Sequence, residues 1–328
     1  MATYKEIRGT HIVSLASDPP SPVNGQMWYN STEQRVKGFT SSPVGTWSTV
    51  APLNTARSAF GGAGANTEAA LAFGGGPPPA PSAKNNTERW NGSTWTEVND
   101  LNEKKAYVSG AGSYTSAIAS GGDQYSGTAE SWNGTCWANI TDEPSAGNSY
   151  GSAGADNEDV LFFGGSPAGN TDSNRYWNGS SWAELNDLNT ARSNLCGSGK
   201  TYTAALAFGG IDSPSSYLAN TESWNNTCWS ETNDLNDGRA YLGGDGTNTL
   251  ALAWGGFSPP RVAKTESWNG TSWSETNDLN TTRSNMAVGG AGSSNTDGLA
   301  YGGDTPGDTG ATEEFISPTT NTVTFTTS

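Results

Sequence analysis

An all-β fold, a six-bladed β-propeller with four-stranded antiparallel blades, is what this sequence predicts. Three observations carry the prediction. A word built on tryptophan recurs, with anchors at Trp47, Trp95, Trp137, Trp182, Trp229 and Trp273, spaced by 42 to 48 residues. An apolar run ending in Gly-Gly alternates with it, as in "LAFGG" at Leu71 and again at Leu206. Residue size also varies within each copy in the way that sheets converging on an axis require. Repeats near this length are blades or solenoid units, and only a ring explains a radial size gradient.

Taken in order, residues 1–46 precede the repeat and read as an N-terminal arm. "GQMWYNSTEQRVKGF" predicts a hairpin with Trp28 and Tyr29 on one side and Val36 to Phe39 on the other. Residues 47–328 read as one propeller. Trp47 to Val50 forms a strand-four word with no complete repeat before it, so it is expected to pair with Glu313 to Phe315 and complete the last blade. Such a seam ties the chain ends together and leaves no open sheet edge. Each copy then predicts four strands. The first is small ("FGGAG", "VSGAG", "LCGSG"), where crowded backbones leave no room for side chains. The second is the apolar run. The third ends at Trp90, Trp132, Trp177, Trp224, Trp268 or Phe315, and the fourth starts at the anchor Trp. Between the two lies Asn-Gly, as in Asn91-Gly92 and Asn133-Gly134, which supplies the positive φ of a tight turn. "TVTF" near Thr322 is expected to add an edge strand.

Composition agrees. The 328 residues include 43 Gly and 13 Trp but few charges, which favours short strands and tight turns over helices. A formal net charge of −16 argues against nucleic acid or an anionic membrane as partner. No apolar run reaches membrane-spanning length and no secretory leader is legible, so a soluble chain is expected. Cys136, Cys196 and Cys228 lack metal-ligand spacing and are expected to be free, buried small hydrophobes.

Charges recur in step with the repeat. Ten residues after each anchor stand Arg57, Lys105, Gly147, Arg192, Arg239 and Arg283. Two before each third-strand aromatic stand Glu88, Glu130, Arg175, Glu222, Glu266 and Glu313. The third copy departs at both positions together, which points to a structural Arg–Glu contact within each blade. Asp100, Asp142, Asp187, Asp234 and Asp278 are expected to cap turns rather than gather round a metal. The Asn-x-Ser/Thr words at Asn91, Asn133, Asn178, Asn225 and Asn269 coincide with the hairpin turn, and turn chemistry accounts for them. The single histidine, His11, precedes the repeats, so neither paired imidazoles nor a Ser-His-Asp set is available there. The expectation is a non-enzyme without cofactor or metal.

The loop between strands two and three varies most, and variation on a constant scaffold is where binding function sits. It places Pro77 to Pro79, Tyr125, Ile211, Tyr217, Leu218, Phe257 and Arg261 on one rim. Aromatics beside Asn, Asp and Ser suit a sugar, by stacking and hydrogen bonding.

Arg192, the run Leu206 to Gly210, Trp224 and Trp229 together resemble the kelch repeat, and other copies do likewise. That resemblance covers residues 47 to about 315 and implies the propeller fold, but no particular activity. "MATYKEIRGT" followed by the "GQMWYNSTEQRVKGF" word resembles N-terminal segments of structural proteins of tailed bacteriophages, particularly marine ones. It implies a virion surface protein of tail-fibre type. Trp28 and Tyr29 would dock to other virion proteins, the rim would meet host polysaccharide or another receptor, and several copies would share a particle. A purely structural capsid-decoration or baseplate protein is the alternative, and a cellular lectin-like or adaptor propeller the third. No heptads of a long trimeric shaft are present.

Overall fold

The computed structural model describes residues 12–20, 25–41, 45–76, 82–122, 127–166, 169–212, 216–287, 291–316 and 320–325. The chain divides into two compact units, Thr46–Ile316 and a smaller one made of Met1–Gly45 with Ser317–Ser328. Among the described residues every regular element is a strand.

The smaller unit is one four-stranded sheet of β1 (Val13–Leu15), β2 (Met27–Asn30), β3 (Arg35–Ser41) and β28 (Thr320–Phe325), in that order. The expected hairpin is β2–β3, with Trp28 opposite Lys37 and Tyr29 opposite Val36. β1 runs parallel to β2, while β28 runs antiparallel to β3. The "TVTF" strand therefore belongs to this sheet and not to the propeller's, as the boundary at residues 47–328 had implied.

The larger unit is a propeller-like array of repeated four-stranded antiparallel blades. The first is β5 (Gly61–Asn66), β6 (Ala69–Phe73), β7 (Thr87–Trp90) and β8 (Trp95–Val98). The second is β9 (Ser109–Ser113), β10 (Ser116–Ser120), β11 (Ala129–Trp132) and β12 (Trp137–Ile140). The third is β13 (Gly151–Gly154), β14 (Val160–Phe163), β15 (Asn174–Trp177) and β16 (Trp182–Leu185). The fourth is β17 (Cys196–Thr201), β18 (Ala204–Phe208), β19 (Thr221–Trp224) and β20 (Trp229–Glu231). The fifth is β21 (Gly243–Gly246), β22 (Ala251–Trp254), β23 (Thr265–Trp268) and β24 (Trp273–Glu275). The sixth joins β25 (Ala291–Ser294), β26 (Asp297–Tyr301) and β27 (Thr312–Ile316) to β4 (Thr46–Val50). There Phe315 lies opposite Trp47 and Thr312 opposite Val50. Among the described residues the chain thus holds seven four-stranded sheets, six in this unit and one in the other, and none closes on itself.

Small residues lead each blade because first strands adjoin one another. β5 neighbours β9, and adjacency continues through β13, β17, β21 and β25 back to β5. A side chain at Gly110 would come within 2.4 Å of the Gly62 carbonyl oxygen, and one at Gly197 within 2.3 Å of the Ser152 oxygen. Backbone cannot yield such room, so glycine is obligatory at both. The larger apolar residues pack between sheets. Leu71 and Phe73 of one blade lie with Ala117, Ala119, Trp132 and Trp137 of the next.

The two tryptophans of each word do different jobs. Trp90 and Trp95 face each other across the β7–β8 hairpin with ring centroids 5.4 Å apart. Trp90 Nε1 donates to the Thr67 carbonyl at 2.8 Å, which pins the β5–β6 turn of its own blade. Trp95 Nε1 reaches the preceding blade and donates to Thr312 Oγ1 at 3.2 Å. Trp137 to Thr87, Trp273 to Thr221 and Trp47 to Thr265 repeat this bond at 3.0 to 3.1 Å. The hairpin itself has four residues between its tryptophans. Gly92 adopts φ +87°, and Asn91 Oδ1 accepts the Ser93 and Thr94 N–H groups. Asn226, at φ 72°, takes the glycine's place in the fourth blade. Cys136 and Cys228 sit in these hairpins and are exposed, whereas Cys196 is buried. The expectation of three buried thiols is corrected, since the turn leaves the residue before the anchor Trp facing solvent.

Candidate binding site

The buried charges hold the connection between blades. Arg57 Nη2 lies 2.5 Å from Glu88 Oε1, Arg192 Nη2 3.1 Å from Glu222 Oε1 and Arg283 Nη2 2.8 Å from Glu313 Oε1. Arg239 pairs with Glu266 in the same way. Asn54, Asn189, Asn236 and Asn280 donate their backbone N–H groups to the second oxygen of the same carboxylates. Each guanidinium also meets carbonyls, as Arg57 Nη1 does at Asn86 O (2.7 Å) and Gly74 O (3.2 Å). Arg57, Arg192 and Arg283 are wholly buried. Burial pushes all three down, Arg283 to about 10, while the facing Glu opposes the shift. In the second blade Lys105 Nζ sits 4.0 Å from Glu130 and donates to the Thr128 carbonyl at 3.0 Å. Burial lowers Lys105 and raises Glu130.

The third blade has not lost its pair; it has reversed it. Arg175, on the strand where the others carry Glu, pairs with Glu143 from the connecting segment. Tyr150 lies beneath the guanidinium at 4.3 Å, and Ser120 donates to Glu143 at 2.7 Å. Burial raises the Glu143 carboxyl against the pull of Arg175. Four of the five Asp residues expected to cap turns do so: Asp100, Asp187, Asp234 and Asp278 accept the first N–H of strand three at 3.1 to 3.2 Å.

Twelve residues beyond each anchor tryptophan comes a position with no constant side chain. Ala59, Tyr107, Ser149, Asn194, Tyr241 and Asn285 all take left-handed φ, between 51° and 61°. Residues other than glycine seldom hold that conformation unless surroundings enforce it. The enforcing bonds form a cycle. Tyr107 N–H donates to Ala59 O, Ser149 to Tyr107, Asn194 to Ser149, Tyr241 to Asn194, Asn285 to Tyr241, and Ala59 to Asn285, at 2.6 to 3.3 Å. These bonds return to the residue that began them.

Above this ring lies a depression of about 270 Å³ lined by Tyr107, Ser149, Asn170, Asn194, Ile211 and Tyr241, with Asn148, Ser166 and Ser193 beside them. Below it, Phe60, Val108, Leu195, Leu242 and Met286 narrow the axis to an apolar throat. The polar groups of the depression are fixed to one another. Asn170 Nδ2 donates to Ile211 O, Ser193 Oγ to Asn170 Oδ1 and Asn194 Nδ2 to Ser193 Oγ, at 2.8 to 3.0 Å. Burial and the nearby Tyr217 push the Tyr241 phenol up. Among the described residues the lining supplies hydroxyls, carboxamides and phenols, groups that hydrogen-bond a ligand without carrying charge.

The rim residues expected from sequence divide. Ile211 lines the depression, bridging to Ser193 and Tyr217. Tyr217 and Phe257 meet edge to face at 5.6 Å, and Arg261 stands 6.0 Å over Phe257 while pairing with Asp304 and donating to Ser284. Leu218 is half-buried and works through its backbone, donating to Gly210 and accepting from Arg239. Tyr125, like Pro77 to Pro79, lies outside the described residues. In the smaller unit Trp28 is fully buried, its Nε1 on Asp18 Oδ1 at 3.0 Å, so it packs its own sheet instead of offering a docking surface. Tyr29 is half-buried. Tyr107, Ser149, Asn170, Asn194 and Tyr241 were missed, and for all but Asn170 the available signal was a varied position twelve residues after each anchor tryptophan.

No protein-family model matches the chain, and no curated protein matches it.

Proposed function

We propose that this chain is a non-catalytic binding protein of a tailed-phage particle. In this reading the six blades form one kelch-like propeller whose loop-bearing face holds host surface polysaccharide, and the smaller unit joins other virion proteins. The observation that carries it is the depression whose described lining is uncharged, with interlocked Ser and Asn side chains between two tyrosines, which suits a polyhydroxylated ligand. The phage setting rests on the N-terminal words. A second reading, a structural decoration protein, is favoured by one feature: Tyr217, Phe257 and Arg261 are already engaged with neighbouring loops. The test is an array of immobilised bacterial surface polysaccharides probed with the purified chain, together with antibody labelling of intact particles. Binding on the array with the face accessible on particles supports the first reading. No binding, with the face covered in the particle, supports the second.

A further inference from the structure

We propose that the axial depression takes a single neutral sugar ring, held between Tyr107 and Tyr241. This rests on the reading that the loop-bearing face binds a ligand, and it assigns the site and the ligand class.

The placement of the tyrosines follows from the hydrogen-bonded cycle. Going round it, Tyr107 is second after Ala59 and Tyr241 is fifth, so the two lie three places apart in a cycle of six and occupy opposite sides of the axis. Both line the same depression. Between them on one flank come Ser149 and Asn194, with Asn170 beside them, so aromatic walls alternate with hydroxyl and carboxamide edges. A pyranose has that alternation: an apolar C–H face for an aromatic ring, and hydroxyls around its edge.

Size and charge narrow the class further. About 270 Å³ falls just under the usual range of small-ligand sites, roughly 300–1,000 Å³, so the depression has room for one ring and not for a longer chain. The apolar throat beneath the ring stops a polar chain from threading deeper, so the ligand stays at the mouth. Among the described residues no lining residue carries a formal charge, on a chain with net charge −16. An anionic sugar would therefore find no cation to pair with and a repelling field, while a cationic one would find no carboxylate. The bonds among Asn170, Ser193 and Asn194 fix those side chains in advance, which lowers the entropy cost of binding.

The test uses the full chain and saturation-transfer NMR with methyl glycosides of glucose, galactose and mannose, and N-acetylneuraminic acid as anionic control. Tyr107→Asn and Tyr241→Asn remove one wall each. Asn already occupies equivalent left-handed positions at 194 and 285, so the backbone tolerates it. Thr96→Ala changes an exposed residue of the outer strand β8 and serves as the control. We expect at least one neutral glycoside to bind, each tyrosine variant to weaken it about tenfold, and Thr96→Ala to leave affinity unchanged. Failure of every neutral glycoside to bind overturns the proposal. So does preferred binding of the anionic sugar, or affinity that survives both tyrosine variants. Polysaccharide binding on the array that both variants retain would keep the binding-face reading and dismiss the axial site alone. Absence of any array binding would dismiss the reading itself.

Discussion

At the scale of single residues the chain's stability turns on charges placed where water cannot reach. Glu222 accepts Arg192, the Asn189 amide and the Asn189 side chain, so its carboxylate is satisfied without solvent. Removing one partner strands the other, and that costs about 3–5 kcal/mol. Glu222→Gln should lower the urea-unfolding free energy by that amount. Glu130→Gln should cost less, because Lys105 stands 4.0 Å away and is satisfied in part by a backbone carbonyl. The smaller unit carries a pH-dependent contact. Asp18 accepts Trp28, Asn30 and Lys37, and bonding to Lys37 above all holds its carboxyl at about 2, below the ordinary 3.8. A folded-state value below the unfolded one means that the contact stabilises the fold above pH 3.8 and loses that effect as pH falls through about 2. The Trp28 indole N–H resonance should follow this titration, and in Asp18→Asn it should not.

At the scale of strands and hairpins, each blade is locked twice, once within itself and once to its neighbour. Thr87→Val preserves shape but leaves the buried Trp137 N–H without its acceptor, which should cost about 1–3 kcal/mol in thermal or urea unfolding. Combined with Trp137→Phe, it should add nearly nothing, because the bond is already gone. Glycines separate the two kinds of constraint. At Gly92 an added Cβ meets nothing nearer than 3.6 Å, so Gly92→Ala costs only left-handed backbone strain, about 1 kcal/mol. At Gly110 it meets the next strand's backbone at 2.4 Å, so Gly110→Ala should abolish the native hub packing. Much of this was legible. The apolar run, the small strand, the paired tryptophans and the Arg–Glu series are side-chain signals, and each appears where its pattern implied. The reversed pair was hidden, because Glu143 stands four residues before the position the other cations occupy. Trp28 and the exposed cysteines were misread because residue type alone does not say which side of a strand or turn faces solvent.

At the scale of the whole larger unit, backbone groups matter more than side chains. The cycle through Ala59, Tyr107, Ser149, Asn194, Tyr241 and Asn285 consists of amide-to-carbonyl bonds, which side chains do not specify, so only the constant spacing of a varied position marked it in the sequence. For the same reason the depression above it escaped notice: its side chains vary because the backbone alone builds the ring, leaving them available for recognition. The seam is the counterpart at the periphery, where β4 completes a sheet whose other strands come from the far end of the chain. The claim that these six blades close on themselves is tested most directly by amide hydrogen exchange at the six ring positions. Closure predicts that all six N–H groups, Ala59 included, are protected together and exchange only with global unfolding of the unit. An Ala59 amide exchanging far faster than the other five would mean an open array, and would remove both the ring and the site above it.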